Sequence, residues 1–227
     1  SIMPWVKVYL LKEETDHNNN KTKVVRPPIV VALTKLVNKL NPPLINPEQK
    51  NGIMLNLTIT VIGTLRSRDI AVRDVARDSL IKMVKTAGLP MLKSIIKEMQ
   101  YMLKEGYQRH VCSYSIRHIL TTTLASYEPP KNAESVPILN DESAPAQPDN
   151  DVEIIIPDLD ACLPSIMDVV MDDLHGVTQE DRDFEGAQRT LIREAKGVKA
   201  KDILEVCAKC LLFRPTYAMR AIENPSS

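Results

Sequence analysis

Apolar positions recur along this chain with a helical period. Met54, Leu57, Val61 and Leu65 fall on one face of a helix over 53–65. Met91, Ile95, Met99 and Met102 do the same in a helix opening at Leu89-Pro90 and running to about Glu105. Asp69 to Lys85 and Gln108 to Ser126 read as the partner helices, with Gly88, Pro90 and Gly106 at the turns, giving antiparallel pairs at 52–86 and 90–126. The two partner helices superpose at an offset of 40 residues: Ala71-Val72 falls on Val111-Cys112, Ala76 on Ile116, Arg77 on Arg117, Leu80 on Leu120 and Val84 on Leu124. A period near 40 with two helices per unit predicts an all-α fold, an α-solenoid of HEAT or armadillo type. Such units bury their apolar faces only by stacking on one another, which leaves long surfaces for partners and favours a scaffold over an enzyme.

The remaining segments fit around these pairs. Residues 1–23 read as a short helix or strand from Pro4 to Leu11 and then a polar loop, Glu13 to Lys23. Residues 24–126 hold the repeats; Arg26-Pro27-Pro28 opens a helix to about Leu40, which Pro42-Pro43 and Pro47 close, so part of a third unit precedes the two clear ones. Residues 127–157 read as an acidic, proline-rich flexible linker with too little apolar surface to offset about 1–2 kcal/mol of backbone entropy per ordered residue. Further solenoid helices are expected over 158–215: Leu159 to Leu174, Ala187 to Ala195, and Asp202 to Phe213, ended by Pro215. A tail, 216–227, closes the sequence.

Composition supports the helical assignment. Apolar residues make up 44% of the chain, while aromatic residues contribute 4% and there are 7 glycines, so helix-compatible aliphatic residues dominate. No stretch approaches the roughly 18 uncharged apolar residues of a membrane span, and no signal peptide is expected, charge appearing by Lys7. The net charge of zero hides a strong partition. Residues 1–126 carry 19 Lys and Arg against 9 Asp and Glu, residues 127–188 carry 2 against 16, and residues 189–227 carry 8 against 4. A basic repeat region and an acidic segment therefore share one chain.

Catalytic signatures are missing. No glycine-rich phosphate loop, G-x-S-x-G or H-E-x-x-H motif occurs, so neither catalytic residues nor a cofactor nor a small-molecule substrate is expected. Cys207 and Cys210 form a C-x-x-C, but inside an apolar helical run and without a second pair, so core thiols are favoured over a zinc or redox site. His110, Cys112 and His118 read as packing or surface residues. Asp172-Asp173 and Glu180-Asp181 read as solvated pairs in an acidic loop. A metal-dependent enzyme built on the cysteines is the weakest reading of the chain.

Cations offer the one candidate site. Arg66, Arg68, Arg73 and Arg77 cluster at one inter-helix turn and the helix after it, and Lys93 and Lys97 repeat the four-residue spacing on the next unit. Lined along one edge, these six could hold RNA phosphates, with salt-sensitive and sequence-indifferent binding. A solvated face balanced by Asp69, Asp74 and Asp78 is the competing reading, and it carries more weight. No stacking aromatics of a sequence-specific RNA reader interleave with these cations.

Particular stretches go beyond generic repeats. Val25 to Val37 (VRPPIVVALTKLV), Arg73 to Met83, Leu89 to Leu103 and above all Gly106 to Leu120 (GYQRHVCSYSIRHIL) resemble the down-regulated-in-metastasis family, the giant HEAT-repeat scaffold of the small-subunit processome. The resemblance continues from Leu163 to Lys201, through Asp172-Asp173-Leu174-His175-Gly176 and Arg193-Glu194-Ala195-Lys196, and covers most of 24–215. It implies a nucleolar, nuclear protein of the snoRNP machinery that meets ribosome-assembly proteins, precursor rRNA and snoRNA and is needed for 18S RNA maturation. It brings no catalytic residues and no membrane association. The alternative is a HEAT or armadillo scaffold of another pathway, a nuclear transport receptor or a phosphatase scaffold; the basic character of the clear repeats disfavours the transport receptor.

Overall fold

The computed structural model describes residues 9–15, 21–40, 42, 44–125, 158–178 and 192–210. Helices dominate it. A two-stranded antiparallel hairpin, β1 (Leu11–Thr15) and β2 (Lys21–Val25), precedes α1 (Pro27–Lys39), α2 (Pro47–Thr64), α3 (Ile70–Ala87), α4 (Pro90–Met102) and α5 (Gln108–Leu124). After a long insertion come α6 (Asp158–His175), a 3-10 turn at Arg193–Ala195 and α7 (Ala200–Cys210).

Three helix pairs stack in chain order. Within each unit α2 packs on α3, α4 on α5 and α6 on α7. Between units the first helices form one layer, α2 on α4 on α6, and the second helices form another, α3 on α5 on α7. The seam between layers is the core: Leu57, Val61, Leu80, Leu92, Ile95, Met99, Ile116, Leu120, Ile166 and Ile203 are each 2% exposed or less. Helix α1 stacks on α3 and β2 packs on α2 and α3, so hairpin and α1 together stand where a preceding unit would. The fold is the expected helical stack, with one small sheet added at its start.

Local chemistry accounts for the turns. Asn46 accepts the Gln49 amide at 2.7 Å and the Gln49 side chain returns to the Asn46 amide, a reciprocal cap with Pro47 in the first turn. Pro47 therefore starts a helix as well as following one, and α2 begins six residues before the apolar stripe at Ile53. Gly88 ends α3 at φ 93°, a left-handed backbone that an L side chain resists, and its amide bonds the Val84 carbonyl at 2.8 Å. Lys50 closes the other gap, donating to the carbonyls of Asn38 (2.8 Å) in the last turn of α1 and Leu40 (3.2 Å) at its cap.

Several expectations need correction. Within Glu13 to Lys23, Glu13–Thr15 and Lys21–Lys23 are strand rather than loop: Glu13 pairs with Lys23 and Glu14 with Thr22 in a ladder that backbone bonds hold whatever the side chains. Asp172 and Asp173 lie on α6 rather than in a loop, and Asp173 is completely buried. Of the helix expected over 187–195, the described part is the 3-10 turn 193–195. The linker 127–157, the pair Glu180-Asp181, the tail 216–227 and the residues of the last helix past Cys210 lie outside the described residues.

Candidate nucleic-acid interface

The six candidate cations do not form one row. Arg73 and Arg77 are 2% and 1% exposed, so they face the packed interior. Arg66 and Arg68 are exposed at the α2–α3 turn, where Arg66 Nε donates to Gln108 Oε1 at 3.3 Å and the Tyr107 hydroxyl donates to the Arg66 carbonyl. Lys93 and Lys97 are exposed on α4, one turn apart.

Burial of two arginines demands compensation, and Glu194 supplies it. Its carboxylate, 0% exposed, accepts Arg73 Nε at 2.8 Å and Nη2 at 2.7 Å in a fork, and Arg77 Nη1 at 3.0 Å. Burial alone would raise the Glu194 carboxyl; hydrogen bonds and charge from Arg73, with the charge of Arg77, prevail and hold it below 4.5. Remaining donors are also used: Arg73 Nη1 bonds the carbonyls of Ser67 (2.8 Å) and Arg68 (2.9 Å), tying down the α2–α3 turn. Arg77 Nη2 bonds Asp74, which also accepts Arg193 Nη2 at 2.7 Å.

A ring completes this cluster. The Tyr114 ring has Arg77 at 4.9 Å, Arg193 at 5.5 Å and Arg117 at 5.9 Å from its centroid, and His118 stacks beside it at 6.3 Å. Burial and the Arg77 charge push His118 below its ordinary value. Arg117, the 40-residue counterpart of Arg77, pairs with Asp202 of α7. Equivalent positions on successive second helices thus reach forward to the third unit, but only Arg77 is sealed in, because the 193–195 turn covers it. Chemically this cluster is a staple: its cations are matched by carboxylates and spent on holding the chain's own segments.

The thiols follow the same logic. Cys112 and Cys207 are buried and pushed up to about 12, chiefly by burial, with Asp172 adding to Cys112 and Cys210 to Cys207. Cys210 is also buried and raised. Such groups stay protonated at neutral pH and are poor ligands and nucleophiles. Among the described residues no group of His, Cys, Asp and Glu could hold a metal ion, and no helix is long and apolar enough to cross a membrane.

Two features escape residue-by-residue reading of charge. Glu194 is an ordinary surface type in sequence, flagged only by the Arg193–Lys196 stretch. Tyr101, 70% exposed on α4 beside Lys97, reads in sequence as one more residue of an amphipathic helix.

Residues 16–223 match the family described as the U3 small nucleolar RNA-associated protein 20 domain. This chain belongs to that family. The protein called U3 small nucleolar RNA-associated protein 20 in Schizosaccharomyces pombe is 26% identical over 212 residues, 91% of this chain and 7% of that protein. Its namesake in Saccharomyces cerevisiae is 28% identical over 190 residues, 84% of this chain and 6% of that protein. The chain therefore spans a small fraction of the relatives it matches. The family match includes both the repeats and Glu194, so the stapled third unit lies within the domain.

Proposed function

We propose that this chain is a segment of a non-catalytic scaffold in small-subunit ribosome biogenesis, supporting assembly and processing of precursor 18S rRNA inside the snoRNP-containing processome of the nucleolus. The carrying observation is the family match over 16–223, shared with proteins named for association with the U3 small nucleolar RNA. A stack of helix pairs suits the role, since its two layers bury the apolar seam and leave both broad faces for ribosome-assembly proteins and RNA. The family also favours this reading over a transport receptor or a phosphatase scaffold.

Direct RNA contact, if it is part of this role, falls to the four exposed cations Arg66, Arg68, Lys93 and Lys97. Arg73 and Arg77 serve as internal partners of Glu194, and reversing them would test folding rather than binding. The decisive experiment replaces the segment 24–210 within the full-length protein by an unrelated helical repeat of equal length. Loss of the particle and of 18S RNA is expected; normal 18S levels would sink the proposal. Charge reversal of the four exposed cations then separates direct RNA contact, read as lost crosslinks to precursor rRNA or snoRNA, from purely protein-mediated assembly.

A further inference from the structure

We propose that the outward face of α4 binds single-stranded RNA, with Tyr101 as a stacking platform and Lys93, Lys97 and Lys104 as backbone contacts; this rests on the RNA role above and adds the kind of RNA. The first observation is positional. Met91, Leu92, Ile95, Ile96 and Met99 are buried, which at about 100° per residue turns Lys93, Lys97 and Tyr101 to the opposite side of α4, with Lys104 two residues past its end. All four are exposed. Glu98 is half-buried on the flank toward Met102, and Glu105 is exposed next to Lys104. Between Lys93 and Tyr101 the exposed charges are both basic.

The second observation is the ring. Tyr101 is 70% exposed, the largest fraction among exposed aromatic side chains of the described residues, and Lys104 Nζ lies 5.1 Å from its centroid. Packing gives no reason for an aromatic ring at this point of the helix, where a lysine or glutamate would serve the fold equally well. With the Lys104 ammonium over one face, the exposed ring offers its other face to an unpaired base, and the ammonium can meet the adjoining phosphate. Lys93 and Lys97 extend the row by about 6 Å per four-residue step, in reach of the following phosphates. A duplex hides its bases and could use only the lysines, so the ring sets single strands apart.

Binding of a fluorescent oligouridylate of about 12 nucleotides to the intact chain tests this. Tyr101→Ala should weaken binding about tenfold or more, while Tyr101→Phe, which keeps the ring, should stay within about twofold. Lys93→Glu with Lys97→Glu should weaken it further and flatten its salt dependence. A duplex of the same length should bind with no response to Tyr101→Ala. An unchanged affinity in Tyr101→Ala, or displacement of the RNA by an oligoglutamate peptide at equal charge concentration, overturns the proposal, the latter in favour of an acidic protein partner. If the lysine reversals weaken binding and Tyr101→Ala does not, phosphate contact survives and the single-strand assignment fails. Normal particle assembly after replacement of the whole segment would instead sink the role beneath it.

Discussion

Arg73 and Glu194 form a two-pronged buried ion pair although they stand 121 positions apart in the chain. With Arg77 as second donor, that pair fastens the turn before α7 to the second helix of the first clear unit, two units back in the stack. Removing one partner of a buried pair leaves an uncompensated charge, at a cost of about 3–5 kcal/mol. Glu194→Ala should therefore lower the melting temperature markedly and expose amides of α7 to hydrogen exchange. Replacing Arg73, Arg77 and Glu194 together with apolar residues of similar volume should recover much of the loss. Equal destabilisation by the single and triple variants would argue against the pair as the origin.

Acid should find the same weakness. Folding lowers Glu194 from an ordinary 4.5, and it lowers Asp74 from 3.8 through the hydrogen bonds and charges of Arg77 and Arg193, against the upward push of burial on both. A carboxyl group depressed by folding contributes stability that is fully present above its unfolded value and is lost as pH falls through the folded one. Melting temperatures should hold down to about pH 5 and then fall, and Glu194→Gln should flatten that fall. A Gln variant with the wild-type acid slope would assign the effect elsewhere.

Thiol chemistry gives an independent check. All four cysteines are buried, and Cys112 and Cys207 ionise only near 12. Native protein at pH 8 should take up alkylating reagent far more slowly than denatured protein, at every cysteine. Fast modification of Cys207 and Cys210, or zinc retained through gel filtration, would revive the C-x-x-C as a site.

Because side chains rather than chain continuity hold the third unit, a break in the insertion should be survivable. A site-specific protease sequence placed after Asn140 and cut should leave two fragments that still comigrate. Glu194→Lys should let them separate. Separation of the wild-type fragments would mean that the insertion itself carries the attachment.

The repeats were legible because burial follows period. Val72 and Cys112, Leu80 and Leu120, and Val84 and Leu124 occupy matching core positions, as the 40-residue offset requires. Local signals also fixed the turns at Gly88 and Pro90. Charge was harder to read. Arg73 and Arg77 look like surface cations at helical spacing, and what buries them comes from Glu194, more than a hundred residues away, so no local window contains the answer. The hairpin was missed for a related reason: its ladder joins Glu13 to Lys23 and Glu14 to Thr22 through backbone groups, which leave no apolar alternation to detect.

Removal of one carboxylate should show how the last helix begins. Asp173, on α6, accepts the amides of Lys199 at 2.6 Å and Ala200 at 2.9 Å, where a capping residue just ahead of α7 would ordinarily serve. Asp173→Ala should cost about 0.5–2 kcal/mol and fray the first turn of α7, visible as faster exchange at Ala200 to Ile203. Protection unchanged there would show that packing alone sets the start.

This borrowed cap has a wider meaning for how the domain can vary. The carboxylate that sets where α7 begins is indexed to the rotation of α6, not to the path joining the two helices. A single-residue slip within α6 would swing Asp173 by about 100° and leave the amides of α7 facing an apolar seam. The start of α7 is thus sensitive to drift in phase along α6, a helix from which it is separated in sequence but not in space.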